Sequence, residues 1–293
     1  MTINSWLKKN VSSLAGKTVA ITGPTGGLGK ALCRYLVMLG ADLVFIDRSK
    51  KKSDSLREEL STISSGSSIT RVEADMEDPD SVRAAAEKLK GLSIDALICN
   101  AGAYSIPRHT AKNGYDNVFQ INFVSHYVLI RELLPSLKER HGRVVVVSSI
   151  AMNYSVSDPS DVDFSTRSAS SLVYGNSKRY LTYTLFDLFK DETDVRLAIT
   201  HPGISFTNIT AHYPKLIFAI IKHPMKIIFP SNKKACLSIL LGLFEDTPTG
   251  TWIGPGIFNV WGLPRKMKIP KFDCNELQYF SSFNNSDFTE RKL

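Results

Sequence analysis

Tyr174 and Lys178 stand four residues apart, and Ser149 lies 25 residues before the tyrosine. On a helix, positions i and i+4 share one face, so the phenol and the ammonium would be neighbours. A free tyrosine titrates near pH ~10, too high for easy proton exchange at neutrality. A nearby ammonium favours the phenolate and should lower that value. Such a tyrosine could give a proton to a carbonyl oxygen or take one from an alcohol. A serine hydroxyl beside it would hydrogen-bond the reacting oxygen and steady its developing charge. Ser148 competes with Ser149 for that role. A tyrosine four residues before a lysine is common by chance, so the pair gains meaning only from what precedes it.

What precedes it is a glycine turn, Thr22-Gly23-Pro24-Thr25-Gly26-Gly27-Leu28-Gly29. It falls between a predicted strand and a predicted helix, where a dinucleotide turn belongs. Gly23 suits the tight turn, Gly27 lets backbone approach phosphate, and Gly29 lets helix pack on sheet. The helix start then points N–H groups and partial positive charge at a pyrophosphate. The rival phosphate loop ending Gly-Lys-Ser/Thr is not met, because Gly29-Lys30 is followed by Ala31. Asp47 ends the second predicted strand, where a carboxylate binds ribose hydroxyls and repels a 2′-phosphate. That favours NAD. Arg48 keeps NADP open, since a guanidinium there could hold the phosphate or stack on adenine. Asp75 could accept from the adenine amino group or solvate a turn. Asn100-Ala101-Gly102 puts small residues where backbone must pass close to the cofactor.

Apolar β-rich runs alternate with helical patterns, which predicts βαβ units and an α/β parallel sheet. Strands are expected at 18–22, 42–47, 69–73, 94–99, 143–148 and 195–200. Helices are expected at 30–39, 53–60, 80–89, 115–139 and 172–190, with Pro135 ending or bending the fourth. The polar stretch 157–171 is expected to be a long excursion before the helix carrying Tyr174. One domain spanning 1–293 is expected, with a poorly ordered tail at 275–293.

The net charge of +8 and pI near 9.2 raise nucleic acid or anionic membrane as partners. No nucleic-acid motif accompanies the charge, so a basic surface suited to an anionic cofactor is the expectation. Cys33, Cys99, Cys236 and Cys274 show no paired spacing, and no metal site is expected. A reducing compartment fits free thiols. The N-terminal stretch lacks the apolar core of a signal peptide, and no run reads as a transmembrane span. A cytoplasmic location follows as an expectation.

In this order and spacing the sequence resembles the short-chain dehydrogenase/reductase family over roughly residues 15–260. The matching positions are the Thr22–Gly29 turn, Asn100-Ala101-Gly102, Asn122, Ser149, Tyr174-Gly175-Asn176-Ser177-Lys178, and Pro202-Gly203 with Thr207. The resemblance implies a single-domain, doubly wound Rossmann-type sheet of about seven strands, with substrate over the strand C-termini. It implies that Ser149 rather than Ser148 is reactive, and that Lys178 holds nicotinamide ribose hydroxyls. Asn122 resembles the asparagine that holds a water and extends a proton relay to Lys178. Pro202-Gly203 would carry the chain around the nicotinamide, with the Ile204 backbone near its carboxamide and Thr207 near a phosphate or carboxamide. The long Ser149–Tyr174 separation looks like the retinol dehydrogenase-like branch. That branch mostly prefers NADP, against the NAD reading of Asp47.

Within the resemblance, residues 204–230 would form a substrate lid, and from Tyr213 to Pro230 they are apolar, aromatic and interspersed with Lys215, Lys222 and Lys226. Three readings stay open: a pocket for a lipophilic alcohol or carbonyl, a basic segment on an anionic bilayer, and a core or homo-oligomer face. Trp252, Phe258 and Trp261 could close the same pocket or pack beneath the lid. The expected activity is NAD(P)-dependent interconversion of an alcohol and a carbonyl, on a steroid, retinoid or long-chain compound. A sugar-nucleotide epimerase or dehydratase and a non-catalytic nucleotide-binding protein are the alternatives.

Overall fold

Each predicted strand carries apolar residues on both faces, as a strand covered by helices on both sides must. The computed structural model, which describes residues 2–203 and 231–284, places them in one eight-stranded sheet ordered β3-β2-β1-β4-β5-β6-β7-β8. The strands are β1 (Thr18–Thr22), β2 (Asp42–Ile46), β3 (Ile69–Val72), β4 (Ala96–Cys99), β5 (Arg143–Val147), β6 (Arg196–Thr200), β7 (Thr251–Ile257) and β8 (Trp261–Lys268). The first seven run parallel, and β8 turns back antiparallel on β7. The eighth strand adds to the seven expected. Its Pro264 sits on the sheet edge, where a missing N–H costs no ladder bond.

Alternation along each strand divides the core in two. Val19 and Ile21, Leu43 and Phe45, and Val145 and Val147 face one helical layer. Ala20, Val44 and Ile46, and Val144 and Val146 face the other. The first layer holds α1 (Ile3–Asn10), α2 (Gly27–Met38), α3 (Lys50–Ser61), α8 (Asn232–Ala235) and α9 (Leu237–Gly242). Helix α1, absent from the sequence expectation, is capped by the Thr2 hydroxyl and buries Trp6.

The second layer holds α4 (Pro79–Lys90), α6 (Ser125–Glu139), α7 (Ser170–Leu188) and α10 (Glu276–Asn284). The expected 115–139 helix proves to be composite. A short α5 (Asn117–Phe119), capped by Asp116, passes into a π-helical turn at Gln120–Val124 and then into α6. Such turns insert an extra residue and often sit at functional sites. Pro135 lies inside α6, which continues to Glu139.

Within the tail expected to be poorly ordered, Glu276–Asn284 forms helix α10. Helix α10 packs on α7 with Phe280 fully buried. Arg179 Nε donates to Glu276 at 2.8 Å, and the Asn284 amide donates to Thr184 O and Asp187 Oδ2. These polar anchors on α7 draw a polar segment into the fold. Residues 285–293 and the lid region 204–230, with Ile204 and Thr207, lie outside the described residues.

Strand β1 has β2 on one side and β4 on the other, so the chain winds away from it in both directions. Such a switch point opens a crevice at the strand C-termini, the usual ligand site of an open α/β sheet. All candidate site residues within the described part gather there.

Candidate active site

Two glycines shape the turn after β1. Gly23 has a φ of 62°, in the left-handed region, and a Cβ there would stand 3.1 Å from Ala101 Cα. A Cβ on Gly29 would strike the Gly23 carbonyl and lie 2.9 Å from Pro24 Cα. Helix α2 starts at Gly27 with no side-chain cap, which leaves its first N–H groups directed at the crevice. The Asn232 amide reaches over Gly27 from α8, a neighbour the sequence did not signal.

Beneath the turn, Thr22 is fully buried and its hydroxyl accepts from the backbone N–H groups of Asn100 and Ala101, both at 2.9 Å. The Asn100 amide donates to Thr22 O and Gly23 O at 3.0 Å. Asn100 Oδ1 is buried with no partner among the described residues. An orphaned acceptor below a glycine turn, beside uncapped N–H groups, fits a dinucleotide better than it fits bulk solvent. Asp47 is buried; it accepts from the Thr25 hydroxyl at 2.6 Å and from Ser49 N at 3.0 Å. The carboxylate at the end of β2 is thereby locked to the turn. Asp75 accepts from Glu77 N and pairs with Arg48 at 3.4 Å. Its turn-solvating contact is present, and Arg48 is held over the same edge.

The reacting groups come from β5, the π-helical turn and α7. Ser148 and Ser149 follow β5 and point to opposite sides, as successive residues of extended chain do. Ser148 is buried against Thr182 Oγ1 at 2.7 Å and Met152 Sδ at 3.4 Å. The Ser149 hydroxyl caps the following 3₁₀ turn through Ala151 N and faces Tyr174. The Tyr174 ring meets the edge of Tyr104 at 5.2 Å, a contact with no signal in the sequence. Close packing sets the ring: a Cβ on Gly175 would press on Ser155 Oγ and Ala151 O at 2.5 and 2.6 Å.

Lys178 follows one turn later on α7, is only 2% exposed, and places Nζ 5.8 Å from the Tyr174 ring centroid. Nζ donates to Val147 O at 2.8 Å. Burial pulls the Lys178 ammonium down to about 8. The expected lowering of Tyr174 is corrected: burial pushes its hydroxyl up, opposed by the Ser149 hydrogen bond and reinforced by Tyr104. Desolvation of the phenolate outweighs a lysine that is itself desolvated and bonded elsewhere.

Asn122 lies in the π-helical turn and is fully buried. Its side chain accepts from Ala103 N at 2.8 Å and donates to Ala103 O at 2.9 Å and Ser177 Oγ at 3.1 Å. It pins the Gly102–Ala103 backbone beside Lys178; a Cβ on Gly102 would stand 3.1 Å from Asn122 Oδ1 and 3.6 Å from Lys178 Nζ. Gly203, with φ 77°, donates to His201 Nδ1 at the start of the lid region and fits under Val260 O.

The three aromatics near the lid part company. Trp252 is buried in β7 against His201, whereas Phe258 and Trp261 are exposed around the β7–β8 turn. Among the described residues they line no common pocket. The 157–171 excursion is tied down instead, with Asp163 accepting from Asp116 N and Arg108 reaching Phe164 O and Asp116. A cavity of about 360 Å³ opens beside it, lined by Tyr154, Val156, Pro159, Phe164, Arg167 and Leu172. Among the described residues no His, Cys, Asp and Glu cluster could hold a metal, and no helix is long and apolar enough to cross a membrane.

The short chain dehydrogenase family profile matches residues 17–161. Mouse (Mus musculus) retinol dehydrogenase 12 is 33% identical over 204 residues, covering 67% of this chain and 64% of that protein. Human retinol dehydrogenase 14 is 32% identical over 218 residues with the same coverage, so the match spans about 64% of these relatives' length. Among solved structures, an uncharacterized protein from Mycobacterium paratuberculosis superposes with a TM-score of 0.74 at 26% identity, over 97% of this chain and 98% of that one.

Proposed function

From the membership of this chain in the short-chain dehydrogenase/reductase family, on its retinol dehydrogenase-like side, we propose that it is an NAD(P)-dependent oxidoreductase interconverting an alcohol and a carbonyl. The observation that carries this is the buried Lys178 one turn after Tyr174, its Nζ 5.8 Å from the tyrosine ring, at a crevice that also holds the orphaned Asn100 acceptor and the glycine turn. The Gly23–Gly29 turn, Asp47, Asn100 and Lys178 would hold the dinucleotide, which when bound supplies or receives the hydride. In reduction, the Tyr174 hydroxyl gives its proton to the substrate oxygen while Ser149 donates a hydrogen bond to the same atom. In oxidation, Tyr174 takes that proton back. Asn122 holds the Gly102–Ala103 backbone beside Lys178, which keeps that ammonium in register with the tyrosine.

The substrate is proposed to be a lipophilic alcohol or carbonyl. The apolar composition of 213–230 supports this, as does the aromatic contact of Tyr104 with Tyr174 at the crevice. The buried, acidic end of β2 supports NAD; Arg48 is the residue through which NADP would be held. Fluorescence titration of the purified protein with NADH and NADPH tests this reading. Tighter NADH binding is expected, with Asp47→Ala weakening or reversing the preference. Binding of neither dinucleotide would overturn the function.

A further inference from the structure

His126 belongs to none of the recognised motif positions, yet it is fully buried between the two halves of the site. Its Nε2 lies 3.0 Å from Thr22 Oγ1, and its Nδ1 lies 3.2 Å from the main-chain carbonyl of Asn122. The polarity of both bonds follows from counting donors and acceptors. A carbonyl oxygen only accepts, so the proton sits on Nδ1. A neutral ring carries one such proton, which leaves Nε2 bare and able only to accept. Thr22 Oγ1 agrees with this. Its two lone pairs are already taken by Asn100 N and Ala101 N, so its own proton must point outward. The Ile98 carbonyl offers 3.5 Å and His126 Nε2 offers 3.0 Å, and the shorter contact is to the ring. An imidazolium would aim a second N–H at an oxygen with no acceptor capacity left. Burial and the Lys178 charge push His126 down to about 3, in keeping with the neutral ring.

The two bonds end on different machinery. Thr22 organises Asn100, whose amide holds the Thr22 and Gly23 carbonyls of the glycine turn. Asn122 sits in the π-helical turn and clamps Ala103 beside Lys178. We propose that His126, held as its Nδ1–H tautomer, is a positioning residue that couples the dinucleotide turn, through Thr22, to the Asn122–Lys178 side of the proton path. The inference rests on the oxidoreductase reading and adds to it a residue that touches neither cofactor nor substrate.

Two replacements separate the arms. Asparagine places an amide N–H the same number of bonds from Cα as Nδ1, so His126→Asn keeps the bond to Asn122 and releases Thr22. Glutamine places its carbonyl oxygen as far out as Nε2, so His126→Gln keeps the acceptor for Thr22 and releases the Asn122 carbonyl. With one buried hydrogen bond lost in each case, an effect of up to about 10-fold is expected. His126→Asn is expected to raise the Kd and KM for the preferred dinucleotide with kcat close to wild type. His126→Gln is expected to lower kcat with dinucleotide affinity close to wild type. Nitrogen NMR of the ring in the wild-type protein reads the tautomer without any substitution, with Nδ1 protonated and Nε2 bare as the expected result. Two variants that change affinity and kcat alike, or a ring protonated on Nε2, would overturn the coupling. A wild-type protein that binds neither dinucleotide overturns the oxidoreductase reading and this inference with it. A wild type that binds and turns over while the variants show no split overturns the inference alone.

Discussion

Lys178 is a buried ammonium, and its removal is expected to make the protein more stable while destroying activity. Its ordinary value is 10.5 and the folded value is about 8, a difference that corresponds to about 3 kcal/mol of destabilisation when the group is charged. At 2% exposure, solvent screens little of this. Because the folded value lies below the unfolded one, the unfolded chain holds the extra proton between pH 8 and 10.5. Stability therefore rises with pH across that window, and the penalty is fully present below it. Lys178→Met keeps the stem packed and removes the charge, at the cost of the bond to Val147 O, worth about 1 kcal/mol. The variant should gain about 2 kcal/mol at pH 7. That advantage should shrink by about 2 kcal/mol at pH 9.5, where most of the native lysines are neutral and the penalty is mostly gone. Paired urea unfolding curves at the two pH values give the difference, in which all other titrations cancel. A variant no more stable than wild type at pH 7, or an advantage that does not change with pH, would refute the buried-charge argument.

Three further substitutions probe the site and its surroundings. Ser149→Ala is expected to lower kcat about 100-fold or more by removing a hydrogen-bond donor from the reacting oxygen. Ser148→Ala, whose hydroxyl faces Thr182 inside the core, should leave turnover near wild type and lower stability by about 1 kcal/mol, read by steady-state kinetics and urea unfolding. Phe280→Ala should cost about 3–5 kcal/mol in a thermal or urea unfolding assay, because a fully buried ring anchors α10 on α7. An unaffected Phe280→Ala protein would mean that α10 is not docked there in solution.

The strands were legible because helices on both faces demand unbroken β-branched runs, and Val144–Val147 is such a run. The glycine turn, the Asp47 edge and the Tyr174–Lys178 spacing were legible because each is a local pattern. The missed parts depend on partners far away in sequence. β7 and β8 carry Gly254, Pro255, Gly256, Gly262 and Pro264, which break any strand pattern; pairing across the hairpin makes them sheet. α10 looked like a polar tail because its partners on α7, Arg179, Thr184 and Asp187, are polar too. Most of α7 is buried, so its polar residues carry no amphipathic signal. His126 and Tyr104 belong to no spacing rule, and only the fold brings them to Asn122 and Tyr174. The lowering expected for the Tyr174 hydroxyl failed for a related reason. Spacing gave the neighbour, but desolvation depends on everything packed around it.

Single-turnover hydride transfer by Tyr174→Phe tests the role of the tyrosine most directly. The protein is saturated with its preferred dinucleotide, and the reduced nicotinamide is followed by absorbance after a lipophilic aldehyde is added. Loss of about 100-fold or more in the transfer rate is expected, with dinucleotide affinity unchanged, because the general acid is gone while the binding residues remain. Transfer at the wild-type rate would contradict the assignment of Tyr174 and the proton path built on it.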